Sequence, residues 1–203
     1  MFLDTIKRWR WWLFLLIAAG AVLSYWEHRR RWIERSQDKA ILQAAGRYRV
    51  DPALIKAVVW RESGFNPKAQ GSKGEIGLMQ IRQTAAEEWA KAEKISLFAH
   101  RQLFDPEKNT LAGTWYLRKL LARYGSTDNP IPYALADYNA GRTRVLQWNG
   151  GAAATNSAVF IQQIEFPTTK EYIRSVSRQY ARYQKSFGRK NQSLVNLHKP
   201  WNE

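Results

Sequence analysis

The N-terminal part of this chain is constrained by 16 consecutive residues without a formal charge, from Trp11 to Trp26. Basic residues flank this run on both sides: Lys7, Arg8, Arg10 and Arg29–Arg31. A helix that is apolar all round has no polar face to turn to water, which disfavours a buried helix of a soluble protein. We therefore predict a transmembrane anchor over residues 11–26, with tryptophans at both interfaces. The alternative is a cleaved signal peptide, because Ala18, Gly20 and Ala21 follow an apolar stretch.

The remainder of the chain follows the periodicity of helices. Apolar residues recur at intervals of three and four, as in Ile41, Ala44 and Tyr48, and nothing resembles the alternation of a sheet protein. Asp-Pro pairs at residues 51–52 and 105–106 predict helix starts. These features indicate an all-α domain, whose last helix we expect from about Thr168 to Phe187.

We divide the chain into five segments on this basis. They are an n-region on the cytoplasmic side over residues 1–10, the anchor over 11–26, a juxtamembrane linker over 27–38, the folded domain over 39–187 and a flexible tail over 188–203. Basic residues flank both ends of the anchor, so charge alone does not fix its orientation.

Charge and composition exclude several classes of chemistry. The chain has 32 Lys and Arg against 17 Asp and Glu, which gives a formal net charge of +15 and favours an anionic partner. No nucleic-acid-reading motif is visible, so we expect no nucleic acid as partner. Without cysteine there is no disulfide, thiolate nucleophile or Cys-ligated zinc. The three histidines, His28, His100 and His198, lack metal-ligand spacing, and we predict neither metal nor cofactor.

Glu62 is the first candidate for chemistry. It shares a helical stripe with Val58 and Val59, so we expect it to face the packed side of its helix beside a glycine-bearing loop. Partial burial disfavours a carboxylate and raises its pKa, which suits an acid that donates a proton near neutral pH. The competing interpretation is an exposed glutamate paired with Arg61 or Lys68.

Three segments around and after this glutamate follow a characteristic order. The first runs from Val50 to Ala69 and continues in Gly74 and Gly77-Leu78-Met79-Gln80; the second is Tyr138-Asn139-Ala140-Gly141; the third runs from Phe166 to Ile173. Together they resemble the catalytic domain of soluble lytic transglycosylases over roughly residues 40–183. The resemblance implies an all-α, lysozyme-like fold of the goose type and a peptidoglycan-cleaving enzyme.

The resemblance also implies roles for particular residues. Glu62 corresponds to the catalytic acid and base, and Tyr138 lies beside it, where it can orient the carboxylate or the substrate's N-acetyl group. The expected substrate-binding residues are Ser63, Met79, Gln80 and Asn139. As a bare sequence feature, a tyrosine at position 138 is more often a packing aromatic, and the amides of Gln80 and Asn139 equally form loop or cap hydrogen bonds. Three positions depart from the family pattern, namely Gly71, Arg142 and Thr168.

The implied reaction uses a single carboxylate. The acid protonates the glycosidic oxygen between N-acetylmuramic acid and N-acetylglucosamine, the N-acetyl group assists, and the same glutamate then deprotonates the C6 hydroxyl to give a 1,6-anhydromuramoyl product. A hydrolysing muramidase would need a second carboxylate, for which Glu75, Asp137 and Glu165 are candidates. The remaining alternative is a non-catalytic wall-binding module of an envelope-spanning assembly.

The implied substrate also fixes a location. We expect an enzyme held in the bacterial inner membrane by a single span with its domain in the periplasm, or one secreted there after signal cleavage. The last helix carries a basic stripe, which is either a solvated face or a surface that attracts anionic peptidoglycan peptides or lipid headgroups. Its members are Arg174, Arg178, Arg182, Lys185 and Arg189.

Overall fold

A computed structural model describes the backbone of residues 2–197 and the side chains of residues 11–13 and 15–187. The residues up to Gln37 and those from Asp38 onward form two separate compact units. The helices are α1 (Phe2–Ser36), α2 (Asp38–Tyr48), α3 (Pro52–Ser63), α4 (Gln83–Ala92), α5 (Pro106–Arg123), α6 (Pro130–Ala140), α7 (Arg142–Trp148), α8 (Ser157–Gln163) and α9 (Pro167–Leu197), with short 3-10 helices at His100–Phe104 and Gly151–Ala154.

Helix α1 continues to Ser36, through most of the segment 27–38 predicted as a linker. Within residues 2–197, no helix combines the length and apolar character needed to cross a bilayer, so the predicted anchor is not confirmed. The uncharged run ends at Arg10 and Glu27, and it contains tryptophan, tyrosine, serine and glycine, which lower its hydropathy.

The second unit is helical, as the sequence periodicity predicts. Helix α3 begins where Asp51 accepts a 2.8 Å hydrogen bond from the Ala53 N–H, with Pro52 in the first helical position. It ends at Gly64, whose φ of 57° is left-handed and whose N–H bonds the Trp60 carbonyl. The helix packs against α9, and its middle is fully buried. This packing places the last turn of α3, with Glu62, at the edge of the core.

Two helix boundaries differ from the sequence prediction. The order Thr84-Ala85-Ala86-Glu87 predicts a capping box in which Thr84 precedes the helix. Helix α4 instead begins at Gln83, and its cap position is Arg82, which makes no side-chain cap bond. Helix α9 continues to Leu197, although the sequence shows no period after Gly188. The rest of the predicted tail, including His198, lies outside the described residues.

Candidate active site

Glu62 lies in the last turn of α3, half-buried, and is bonded to the last helix of the fold. The hydroxyl of Tyr172, on α9, donates a 2.5 Å hydrogen bond to Glu62 Oε1. Tyr172 is only 2 % exposed, so its packing in the core fixes the donor and, through it, the carboxyl group. No ion pair joins Glu62 to Arg61 or Lys68 among the described residues, which argues against the simple surface glutamate.

The environment of Glu62 shifts its proton affinity towards neutrality. Burial is the dominant cause and raises its pKa to about 7. The hydrogen bond from Tyr172 and the charge of Arg61 act in the opposite direction, while the negative charge of Glu75 adds to the rise. The raised pKa that partial burial predicts is therefore confirmed. A carboxyl group of this kind can donate a proton and accept it back near neutral pH.

Tyr138 occupies a different position in the hydrogen-bond network from the one expected. Its hydroxyl donates to the Met79 carbonyl at 2.7 Å, and its ring packs against Tyr116 with centroids 5.6 Å apart. The expected hydrogen bond to Glu62 comes from Tyr172 instead. Tyr138 still lies within electrostatic range of Glu62, since burial and that negative charge both raise the pKa of the Tyr138 phenol.

The residues of the Gly-Leu-Met-Gln segment are held by the fold beside α3. The Ser63 hydroxyl lies 2.8 Å from the Leu78 carbonyl and 3.1 Å from the Val59 carbonyl, and so ties the segment to the end of α3. The Met79 side chain is fully buried against Gly113. Only the backbone of Met79 is therefore left to contact a bound sugar, and its role in substrate binding stays a prediction.

The two amide residues both make hydrogen bonds within the protein. Gln80 has a φ of 48°, and its Nε2 donates to the carbonyls of Ala69 and Gly77 at 3.1 and 2.9 Å. Asn139 is exposed, and its Oδ1 accepts a 2.9 Å hydrogen bond from the Thr169 hydroxyl. That bond joins α6 to α9 and leaves Nδ2 of Asn139 on the solvent side as a donor.

Asn109 supports the site although the sequence analysis did not single it out. It is fully buried on α5; its Oδ1 accepts from the Met79 N–H at 2.8 Å, and its Nδ2 donates to the carbonyls of Ile76 and Leu103 at 2.9 Å. One side chain thus satisfies three backbone groups and fixes the shape of the loop that faces Glu62. Asn109 lies in the helix that the Asp-Pro pair at 105–106 predicts, but no pattern in the sequence marks this polar residue as buried.

Of the three candidate second carboxylates, Glu75 alone interacts electrostatically with Glu62 among the described residues. Asp137 is buried, forms an ion pair with Arg123 and accepts a hydrogen bond from the Tyr124 hydroxyl, whereas Glu165 is exposed. Glu75 accepts hydrogen bonds from Arg82 Nε at 3.0 Å and from the Lys73 N–H at 2.9 Å. Partial burial raises its pKa, but these bonds and its own backbone N–H outweigh that effect and hold the pKa below its ordinary value.

Metal ligands do not converge in the part of the chain that the structure describes. No group of three Asp, Glu or His side chains there could hold a metal ion. His100 lies with Nε2 2.8 Å from the Ile81 carbonyl, which places it beside the loop in a structural contact.

Comparison with known proteins gives a consistent match. Residues 39–161 match the transglycosylase SLT domain. The chain is 31% identical over 183 residues to the soluble lytic murein transglycosylase of Escherichia coli K12, covering 89% of this chain and 28% of that protein. It is 35% identical over 118 residues to the membrane-bound lytic murein transglycosylase F of Desulfosudis oleivorans, covering 56% of this chain and 24% of that protein.

Two solved structures share the fold. The 70 kDa soluble lytic transglycosylase of Escherichia coli superposes with a TM-score of 0.70 at 28% identity, over 81% of this chain and 26% of that one. An inactive mutant of the lytic transglycosylase Slt from Pseudomonas aeruginosa superposes with a TM-score of 0.69 at 26% identity, over 76% of this chain and 25% of that one. These matches confirm the all-α, lysozyme-like fold, while this chain spans about a quarter of the length of the curated relatives that it matches. The chain belongs to the transglycosylase SLT domain family.

Proposed function

We propose that this protein is a lytic transglycosylase that cleaves the glycan strands of peptidoglycan between N-acetylmuramic acid and N-acetylglucosamine. The observation that carries the proposal is the half-buried Glu62, whose pKa is raised to about 7, at the position of the family's acid. A carboxyl group poised between its two protonation states is suited to a reaction that needs first an acid and then a base.

The acid step follows from the geometry around Glu62. Oε1 of Glu62 accepts the hydrogen bond from Tyr172, so Oε2 is the oxygen that carries the proton towards the substrate. Proton transfer to the glycosidic oxygen breaks its bond to the muramoyl anomeric carbon, and N-acetylglucosamine leaves as the alcohol. The N-acetyl group of the muramoyl residue assists at the anomeric carbon, so no second carboxylate is required as nucleophile.

The base step returns the carboxyl group to its starting state. Ionised Glu62 removes the proton from the C6 hydroxyl of the same muramoyl residue while that oxygen forms the new bond to the anomeric carbon. The product is a 1,6-anhydromuramoyl end, with no net consumption of water. Because the folded state already disfavours the charged carboxylate, the proton taken back from C6 is held readily.

The other predicted site residues act on substrate position in this proposal. Ser63 shapes the groove through the bond of its hydroxyl to the Leu78 carbonyl. Met79 does so through its backbone, whose N–H donates to Asn109 and whose carbonyl accepts from the Tyr138 hydroxyl. Asn139 offers its Nδ2 to an acetamido or hydroxyl oxygen, because its Oδ1 is occupied by Thr169. Gln80 holds the loop that closes the groove.

One observation favours a second candidate function, a hydrolysing muramidase. The lowered pKa of Glu75 keeps this carboxyl group ionised, and its negative charge raises the pKa of Glu62. An ionised carboxylate near the acid is what a base that activates water requires. In that case Glu75 would take a proton from a water molecule whose oxygen bonds the anomeric carbon, Glu62 would protonate the leaving oxygen, and the product would have a reducing end. The product distinguishes the two reactions.

The location follows from the substrate, and we place the catalytic unit in the periplasm. We also propose that α1 associates with a lipid bilayer. Large apolar side chains among the described residues of the run from 11 to 26 are exposed, with Ile17 at 72 % and Leu23 at 70 %, and tryptophans lie at both ends of the run. Sedimentation of the full chain with lipid vesicles tests this: replacing Ile17 and Leu23 by glutamine should release it, and equal sedimentation would contradict the association.

The decisive experiment is mass spectrometry of muropeptides that the full chain releases from purified sacculi. We expect anhydromuramoyl ends with wild type, none with Glu62→Gln, and unchanged release with Glu87→Gln, which alters an exposed glutamate on α4. Reducing ends that disappear in Glu75→Gln would establish the muramidase. Binding to sacculi without any release that depends on Glu62 would leave a wall-binding module.

A further inference from the structure

The guanidinium group of Arg61 stacks on an aromatic ring beside Glu62. Arg61 directly precedes Glu62 in the last turn of α3 and is exposed. Its guanidinium carbon lies 5.5 Å from the ring centroid of Tyr172, the residue that bonds Glu62. A cation stacked on an aromatic face is oriented while its N–H donors stay available. The guanidinium therefore has a defined place within reach of anything bound at Glu62.

Three other arginines of the same unit each have a carboxylate partner. Arg82 pairs with Glu75 at 3.0 Å, Arg178 pairs with Glu171 at 2.9 Å, and Arg123 pairs with the buried Asp137. In the described part of the chain Arg61 makes no ion pair. Among the described residues its five donors thus have no carboxylate to bind, although a planar carboxylate is the partner that a guanidinium binds best.

The proposed substrate brings carboxylates to this position. The muramoyl residue at the cleaved bond bears a short peptide on its lactyl group, and that peptide carries free carboxylates. Since Glu62 must reach the glycosidic oxygen of that residue, the lactyl group that carries the peptide lies only a few covalent bonds from the cleaved bond. We infer that Arg61 is a specificity-determining residue that binds a carboxylate of this peptide. The inference rests on the proposed function, which places a muramoyl residue beside Glu62.

The strength expected of this contact follows from its exposure. A charge-assisted hydrogen bond from guanidinium to carboxylate contributes more than a neutral one, and solvent reduces the gain at an exposed site. We expect about a tenfold contribution to affinity, which corresponds to about 1.4 kcal/mol. The contribution should shrink with added salt, because exposed charges are screened.

Calorimetry with the full chain carrying Glu62→Gln measures the contact without turnover. Two ligands are compared: soluble glycan strands that bear peptides, and the same strands after an amidase has removed the peptides. Adding Arg61→Gln should weaken binding to peptide-bearing strands about tenfold and leave peptide-free strands within about twofold. Arg61→Lys should recover part of the loss. Arg47→Gln, which removes an exposed arginine on α2 that already has a carboxylate partner, Glu93, should change neither affinity.

Two outcomes would overturn the inference. Equal weakening on both ligands would mean that Arg61 acts only by supporting Tyr172, and unchanged affinity on both would mean that it contacts no substrate group. Because the readout is binding, it is separate from cleavage. If sacculi show no release that depends on Glu62 while the Arg61 effect persists, the proposed reaction fails and the peptide contact stands.

Discussion

The hydroxyl of Tyr172 donates a 2.5 Å hydrogen bond to Glu62 Oε1, although the two residues are 110 positions apart in the chain. The bond connects the last turn of α3 with the first turns of α9, which pack along one another. Burial and the charge of Glu62 raise the pKa of the Tyr172 phenol well above its ordinary value, so it remains a donor at any working pH. Tertiary packing thus fixes the orientation of the Glu62 carboxyl group.

Removing this bond should change both rate and pH dependence. Tyr172→Phe deletes a donor that stabilises the charged carboxylate, so the pKa of Glu62 should rise further above about 7. The basic limb of the pH profile for cleavage should move to higher pH, and the rate at neutral pH should fall roughly tenfold because the carboxyl group loses its orientation. Initial rates of muropeptide release between about pH 5 and about pH 9 measure both effects.

Tyr180→Phe provides a matched control on the same helix. The Tyr180 hydroxyl also donates to a carboxylate, Asp51 Oδ2, at 2.8 Å, but that pair is exposed at the other end of α3. Loss of the Tyr180 hydroxyl should leave the pH profile for cleavage unchanged. A Tyr172→Phe profile that coincides with that of wild type would show that the bond does not reach the reaction.

The local features of this fold could be predicted from sequence because they depend on neighbouring residues. Asp51 and Asp105 each precede a proline, and each caps its helix through its own side chain, at 2.8 and 2.9 Å. Glu62 could be predicted as a half-buried acid for the same reason, since its place on the apolar stripe of α3 depends only on helical period. Local spacing was sufficient in these cases.

The partners of Glu62 could not be predicted in this way. Tyr138 and Tyr172 both lie in motifs of the family, and which hydroxyl reaches the carboxylate depends on how α6 and α9 pack against α3. The burial of Met79 likewise depends on Gly113 of a distant helix, which leaves space for the methionine side chain. These contacts are long-range, so no period or cap in the sequence encodes them.

Glu62→Gln should stabilise the folded protein in a pH-dependent manner. The folded pKa of about 7 lies above the ordinary value of 4.5, so the folded state binds the proton more tightly and loses stability as pH rises through that interval. Glutamine can still accept the bond from Tyr172 but has no charge to bury. At about pH 8 the variant should gain on the order of 2 kcal/mol in the free energy of unfolding, and near pH 4.5 almost none.

Urea unfolding of the two proteins at both pH values measures this difference. A gain of equal size at both pH values would mean that the carboxyl group is not destabilised by burial. Its role as an acid near neutral pH would then lose its physical basis.

Asn109→Ala should weaken both the fold and the site. The substitution leaves the Met79 N–H and the carbonyls of Ile76 and Leu103 without their partner in a buried location. We expect a loss of about 3 kcal/mol in the free energy of unfolding, with a lower cleavage rate because the loop beside Glu62 loses its support. Asn66→Ala, which removes an exposed side chain that bonds only the Lys68 N–H, should cost about 1 kcal/mol or less. Equal losses in thermal unfolding would contradict a special role for Asn109.

A single added methyl group tests the close packing of the same loop. Gly77 has a φ of 77°, and a Cβ atom there would lie 2.5 Å from the Leu103 carbonyl oxygen, which belongs to the backbone and cannot move aside easily. Gly77→Ala should therefore lower the free energy of unfolding by at least about 3 kcal/mol, through strain at positive φ and overpacking.

Gly46→Ala is the matched control, since Gly46 lies inside α2 with open space around it. There the same methyl group should raise stability by about 0.5–1 kcal/mol, because alanine restricts the unfolded chain and favours the helix. Opposite signs for the two substitutions in chemical unfolding would support the packing described here. A tolerated alanine at position 77 would mean that the loop does not approach Leu103 closely, and Asn109 would then have no fixed frame in which to hold Met79.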